Sequence, residues 1–204
     1  VWGLIGMTRQ ARREMEAGVD LLIAQGGDSG GHSGRIGTFS LVPAVTRMAK
    51  EYDTPILAAG GVTSGEHLAA ALALGAEGVW CGTIWQSTEQ SDVETYMKQR
   101  LVEAQTEDSV QTRASTGKRA SMLRSKWTEA WSAPDAPEPL KMPLQGMLVA
   151  KIHQAIEDWD ITDFQSVAAG QGVGLISEVR TVEQVLDDFI REAREALERA
   201  SSHS

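Results

Sequence analysis

The chain has 204 residues, enough for one sizeable hydrophobic core, and its 42% hydrophobic and 23% charged content is that of a folded globular protein. A single cysteine excludes an internal disulfide framework, no apolar run approaches the roughly 18 residues of a membrane span, and no signal-peptide pattern opens the chain, so the expected setting is the cytoplasm with no membrane partner. A formal net charge of −9 argues against a nucleic-acid partner while leaving room for a local phosphate pocket.

The chain begins at Val1 without an initiator methionine and is expected to be an excerpt or a processed piece. Val1–Ile5 reads as an apolar strand. Thr8 is placed to cap a helix running through Ala17, and Gly18 suits the left-handed residue that ends it. Val19–Ala24 is a second strand, and it empties into Ala24-Gln-Gly-Gly-Asp-Ser-Gly-Gly-His-Ser-Gly34, where five of eleven residues are glycine. Leu41–Tyr52 reads as a helix with Pro43 in its first turn. Pro55–Ala59 is a buried strand ending in Gly60-Gly61. Thr63-Ser-Gly-Glu66 has the spacing of a capping box opening a helix over Leu68–Leu74, closed by Gly75. Gly78–Cys81 is a further strand, ending in Gly82-Thr83.

Beyond this the texture changes. Ser91–Ala104 reads as an amphipathic helix and Ser109–Thr116 as a strand, with a basic run at Lys118, Arg119, Arg124 and Lys126. That run is either a solvated loop or a contact for an anionic substrate. Pro134, Pro137, Pro139 and Pro143 make 132–143 a connector, flanked by Trp127, Trp131 and Trp159, which are expected to pack a cap. Gln145–Trp159 is a helix, Ala168–Gly174 a second glycine loop, and Val182–Ala200 a terminal helix with an apolar stripe.

Apolar strands alternating with helices imply a parallel sheet covered by helices. Glycine-rich and polar residues follow each strand's C-terminal end, where such folds place ligands. Gly60, Gly61, Gly82 and Thr83 terminate two consecutive strands, which is how barrels of this class hold a phosphate, with the helix opened by Thr63 pointing its positive end there; the alternative is a pair of tight turns. His32 lies on the same rim, with an unperturbed pKa suited to proton exchange near neutrality. The plainer reading is a surface histidine in a mobile loop, and Asp28 either orients it or caps the loop. No metal site is expected, because His67, His153 and His203 have no ligand spacing with His32; His67 reads as structural and His203 as part of a frayed tail. Cys81 reads as a small buried hydrophobe inside its strand, and Trp2, Trp80 and Trp85 as core or interface.

The ordered set "AQGGDSGGHSG", "TFSLVPAV", "PILAAGGVTSGEHLAAALALGAEGVWCGT", "STGKRASML" and "AAGQGVGLI" resembles the nitronate monooxygenase (2-nitropropane dioxygenase) family, itself similar to the FMN-dependent enoyl-ACP reductase of the second type. The resemblance implies an α/β TIM barrel holding FMN, with Gly60, Gly61, Gly82 and Thr83 on its phosphate. It also implies that Gln25, Gly30, Gly31 and Ala59 line the flavin, that Gln171 approaches from the cap side, and that His32 is the catalytic residue on the substrate side. Asp28-Ser29 stands where the family often has Glu-Ala. Residues 1–90 would be the C-terminal half of the barrel (about strands five to eight), 91–176 a cap and substrate region, and 177–204 a helix packing back on the barrel. Four parallel strands cannot close a barrel, so the missing N-terminal half or a second chain is expected as a partner. The implied activity is oxidation of alkyl nitronates or nitroalkanes with O2. The alternatives are an FMN-dependent reductase or dehydrogenase, using NAD(P)H and acting on an enoyl or enone thioester, and a non-catalytic barrel fragment or subunit.

Overall fold

The computed structural model describes residues 1–202; His203 lies outside the described residues. The chain forms strand β1 (Trp2–Ile5), helix α1 (Thr8–Glu16), strand β2 (Leu21–Gln25), a two-residue strand β3 (Gly31–His32) and helix α2 (Thr38–Ala49). Strand β4 (Ile56–Ala59), helix α3 (Gly65–Ala73), strand β5 (Gly78–Trp80) and a one-turn helix α4 (Thr83–Gln86) follow. The remainder holds α5 (Thr95–Glu103), β6 (Ser109–Thr112), β7 (Ala120–Leu123), α6 (Lys126–Ala130), α7 (Leu144–Asp158) and α8 (Val182–Ser201), with 3-10 turns at Thr106–Asp108 and Gln171–Leu175. Among the described residues, no helix is long and apolar enough to cross a membrane.

The larger sheet is parallel, in the order β1-β2-β4-β5, an α/β arrangement with each crossover made by a helix. Side chains alternate across it. Ile5, Ala24 and Ala58 are in register on one face, and with Leu22 and Ile56 they pack on Ala11, Met15, Leu41, Val42 and Val45 of α1 and α2. The opposite face carries Trp2 and Leu4, 61% and 58% exposed, and Trp80, 47% exposed. Trp2 and Trp80 meet edge to face across it, with ring centroids 5.9 Å apart. A second, antiparallel sheet has the order β3-β7-β6 and so takes one of its strands from the glycine loop. Trp127 packs beside this sheet with Ala114, Val149 and Ile156, whereas Trp159 is 80% exposed and does not pack the cap. Trp85 stacks on Phe189 of α8.

Several helix ends differ from the sequence reading, and each difference has a local cause. Thr8 is the first helical residue of α1 rather than its cap; Met7 holds the cap position without a side-chain bond. Helix α2 begins three residues earlier than its apolar pattern, because the Asp28 carboxylate accepts from the Thr38 amide at 2.6 Å. Pro43 therefore sits inside the helix rather than in its first turn. The capping box at Thr63–Glu66 does not form. Instead His67 Nδ1 accepts from the Thr63 amide at 3.3 Å and pairs with Ser64 Oγ at 3.2 Å. Strand β6 stops at Thr112, short of the expected Thr116, and α5 begins at Thr95 rather than Ser91.

Helix α8 lies along α3, and the contact is close enough to demand a glycine. A Cβ at Gly65 would lie 2.4 Å from the Phe189 carbonyl oxygen and 2.5 Å from the Ala193 nitrogen. The Gly65 amide donates to Glu192 Oε2 at 2.8 Å. Gly65→Ala is therefore expected to cost about 1–3 kcal/mol by overpacking. The measurement is a urea titration, read as a lower midpoint at unchanged slope. A wild-type midpoint would mean that α3 and α8 separate without cost.

Candidate functional site

Strand register decides what the sheet presents at its C-terminal end. Gln25 pairs with Ala59 and Ala59 with Trp80 across β2, β4 and β5, on the face that carries Trp2 and Leu4. Beyond them the chain turns at Gly60 and Gly61, whose φ values of +108° and +73° lie in the left-handed region that side chains disfavour. The Thr38 hydroxyl donates to the Gly60 carbonyl at 2.9 Å and would collide with any Cβ there, at 2.7 Å. One side-chain oxygen thus fixes the corner from the first turn of α2.

A polar cavity of about 250 Å³ opens over this end. Gln25, Gly30, Ala59, Gly60, Gly61, Gly82 and Thr83 line it, so seven of the expected site residues converge. Gly31 and His32 lie in an adjoining groove with Thr116 and Lys118. Gln171 is not brought to the polar cavity. It lines a neighbouring, largely apolar cavity between α2 and α3 that shares Gly60, Gly61 and Gly172 with the polar one, and its backbone amide donates to the Asp28 carbonyl at 2.9 Å. No residue of α3 lines the polar cavity, and Glu192 from α8 takes the helix's first amide. The short α4 begins at the cavity wall instead, at Thr83.

The second glycine loop closes one side. The Gly170 amide donates to Thr83 Oγ1 at 3.0 Å, Thr63 Oγ1 donates to the Gly172 carbonyl at 3.1 Å, and Gln86 Nε2 donates to the Ala168 carbonyl at 2.8 Å. Two buried polar atoms in the cavity wall, Ser29 Oγ and Gln86 Oε1, have no protein partner. Buried polar atoms are seldom left so, and here they face a space that a polar ligand could fill. Cys81 lies just past β5 in the same wall rather than within the strand. Burial pushes its thiol up to about 11, which leaves it protonated and a poor nucleophile.

His32 is exposed at the groove, pinned by the β3–β7 pairing of His32 with Ala120. Its Nε2 lies 2.8 Å from Thr116 Oγ1. Burial first, and the Lys118 ammonium second, hold the imidazole below its ordinary pKa, so it is neutral at pH 7. Asp28 does not orient it; that carboxylate caps α2. In the basic run, Arg124 pairs with Asp108 and Lys126 with Asp163; of Lys118 and Arg119, it is Lys118 that lines the groove.

Comparison with known proteins bears on this arrangement. Residues 1–192 match the family model described as nitronate monooxygenase. The chain belongs to the nitronate monooxygenase family. It is 43% identical over 198 residues to "Putative monooxygenase Rv1533" of Mycobacterium tuberculosis, a match covering 94% of this chain and 52% of that protein. Among solved structures it resembles FabK from Thermotoga maritima, with 34% identity and a TM-score of 0.83 over 100% of this chain and 64% of that one. It also resembles nitroalkane oxidase from Streptomyces ansochromogenes, with 28% identity and a TM-score of 0.82 over 98% of this chain and 58% of that one. The chain spans about half the length of the curated relatives it matches. Membership places it in a family of oxidoreductases.

Three members of the site escaped the sequence reading. Gln86 lies one helical turn beyond Thr83, a spacing that would have shown it on the same wall. Ser29 stood within the glycine loop only as half of the Asp28-Ser29 pair that replaces the family's frequent Glu-Ala. Thr116 lies in the "STGKRASML" stretch, and only the fold brings it 84 positions back to His32. Thr83→Val is expected to strand the buried Gly170 amide and cost about 1–3 kcal/mol, whereas Thr83→Ser retains the acceptor. Hydrogen exchange at Gly170 reads this directly: faster exchange is expected in the valine variant only, and equal protection in both would show that the loop is held elsewhere.

Proposed function

We propose that this chain forms the flavin-binding part of an FMN-dependent oxidoreductase that oxidises alkyl nitronates, and the nitroalkanes that give them, with O2. The observation that carries the reading is the polar cavity at the glycine corner, where Ser29 Oγ and Gln86 Oε1 are buried without partners. The residues present fit the group. Gly60, Gly61, Gly82 and Thr83 would hold its phosphate, Ser29 and Gln86 supply a donor and an acceptor, and Gln25, Gly30, Gly31 and Ala59 would lie along the ring. Bound there, FMN supplies an electron acceptor that O2 reoxidises as the nitronate becomes a carbonyl compound and nitrite.

The chain's own residues supply the rest. Neutral His32 takes the α-proton of a nitroalkane and, once protonated, donates a hydrogen bond to an oxygen of the nitronate. Lys118 draws the anion to the groove and stabilises it there. The uncovered sheet face would be closed by further strands, from another segment of the same protein or from a second chain, completing a barrel over Trp2, Leu4 and Trp80.

The deciding test is the visible spectrum of the purified protein. An oxidised-flavin spectrum is expected, released as free FMN on denaturation and bleached anaerobically by an alkyl nitronate. Bleaching by NAD(P)H but not by a nitronate would assign instead a reductase of enoyl or enone thioesters. A protein that stays colourless with added FMN would leave a non-catalytic fragment.

In the nitronate-bleached enzyme, His32→Gln is expected to lower kcat/KM for a neutral nitroalkane by about 10²–10⁴-fold with flavin retained. As a base, His32 works only unprotonated, so activity is full above its pKa and falls as pH drops through it. Lys118 lowers that pKa. Lys118→Gln is therefore expected to move the acid limb of the kcat/KM profile to higher pH, and an unmoved limb would separate Lys118 from the base.

A further inference from the structure

The groove beside His32 is built on a turn held from several sides. Gly117 has φ +80°, and a Cβ there would lie 2.3 Å from the Leu140 carbonyl oxygen. Its amide donates to the Arg113 carbonyl at 2.8 Å, and Arg113 Nε donates back to the Gly117 carbonyl at 3.1 Å. The same guanidinium reaches the proline-rich connector, donating to Glu138 at 2.7 Å and to the Pro139 carbonyl at 2.9 Å. Fully buried Gln145, in the first turn of α7, completes the brace. It donates to the Ala114 carbonyl at 2.7 Å and accepts from the Leu140 amide at 2.9 Å. A turn braced in this way, beside one exposed histidine, holds its side chains in fixed directions.

Thr116 sits in this turn, and its hydroxyl has three neighbours. Oγ1 donates to the Lys118 carbonyl at 3.1 Å, accepts from the Lys118 amide at 3.2 Å, and lies 2.8 Å from His32 Nε2. A hydroxyl has one proton and two acceptor sites. With the proton on the Lys118 carbonyl and one acceptor site taken by the Lys118 amide, the remaining site can only receive a hydrogen from His32. The hydroxyl is then fully satisfied, which the opposite arrangement does not achieve.

We propose that Thr116 is a positioning residue for His32: it accepts the Nε2–H, fixes that tautomer, and leaves Nδ1 as the basic nitrogen that takes the substrate proton. This rests on the oxidoreductase reading only for the fate of the proton; the tautomer itself is a property of the chain. The roles are separate. His32 touches the substrate, and Thr116 acts through it. The usual effect of misplacing such a group is a loss in the proton-transfer step with little change in binding.

Nitrogen-15 spectra of the histidine side chains, recorded above the His32 pKa and assigned with His32→Gln, read the tautomer without substrate or cofactor turnover. The expected pattern for His32 is a protonated, pyrrole-type Nε2 and a pyridine-type Nδ1. Thr116→Ser should keep it, and Thr116→Val should drive both nitrogens toward the intermediate shifts of a mixed tautomer. In the active protein, Thr116→Val should lower kcat for a neutral nitroalkane about tenfold or more with KM little changed, and Thr116→Ser should restore it. A pyridine-type Nε2 in the wild type, or a valine variant with unchanged shifts, would overturn the proposal. If the shifts follow the proposal while His32→Gln leaves turnover intact, the positioning stands and the catalytic reading of His32 falls.

Discussion

The backbone corner at Gly60-Gly61 is the constraint on which the site depends. Two consecutive left-handed residues turn the chain sharply off the end of β4, and the Thr38 hydroxyl locks the turn by donating to the Gly60 carbonyl. Thr38 is itself fixed because Asp28, in the glycine loop, accepts from its amide. The corner, the start of α2 and the glycine loop are therefore one hydrogen-bonded unit. Removing Asp28's carboxylate would loosen a helix end, a strand end and a cavity wall together. Such a unit explains why the loop is glycine-rich at some positions and polar at others. The glycines permit contact between backbones, and the Asp28 and His32 side chains tie the loop to its neighbours.

The parallel sheet, its helices and the convergence of the strand ends were legible in the sequence, because they follow from apolar periodicity and from glycine punctuation after each strand. Seven of the expected ligand residues do line one cavity. The errors fall where a partner comes from far along the chain. Asp28 caps α2 from ten residues upstream, and Glu192 takes the first amide of α3 from 127 residues downstream. A local capping box at Thr63–Glu66 was a sound reading of spacing. His67, an imidazole at the same turn, offered the backbone a different acceptor and won. The two-residue strand at His32 had no signal of its own, since its pairing exists only once β7 is in place.

The two faces of the parallel sheet are not equivalent. One buries a continuous core against α1 and α2. The other leaves Trp2, Leu4 and Trp80 largely in water. Burying a side chain of this size is worth about 1.5–3 kcal/mol, so a covering layer would be stabilising on its own account. The polar cavity shares this uncovered face through Gln25, Ala59 and Trp80. Whatever closes the sheet would thus also finish the wall of the site, and in the proposed reading stability and ligand binding rise together when the barrel is complete.

The placement of His32 joins the two sheets. Its loop leaves β2 in the parallel sheet, yet its backbone pairs with Ala120 of the antiparallel one and its imidazole meets Thr116 in the turn between β6 and β7. The turn bearing Thr116 is in turn braced by Arg113 on the proline-rich connector and by Gln145 on α7. In an exposed groove a histidine would sample several rotamers, and water would compete for both ring nitrogens. Here the braced turn supplies a hydroxyl at a fixed position and a nearby cation, while the glycine corner fixes the opposite side of the site. In the proposed reading, proton chemistry and cofactor binding belong to different layers of the fold, so substitutions in the connector or α7 would alter the histidine's orientation while leaving the glycine corner and its cavity intact.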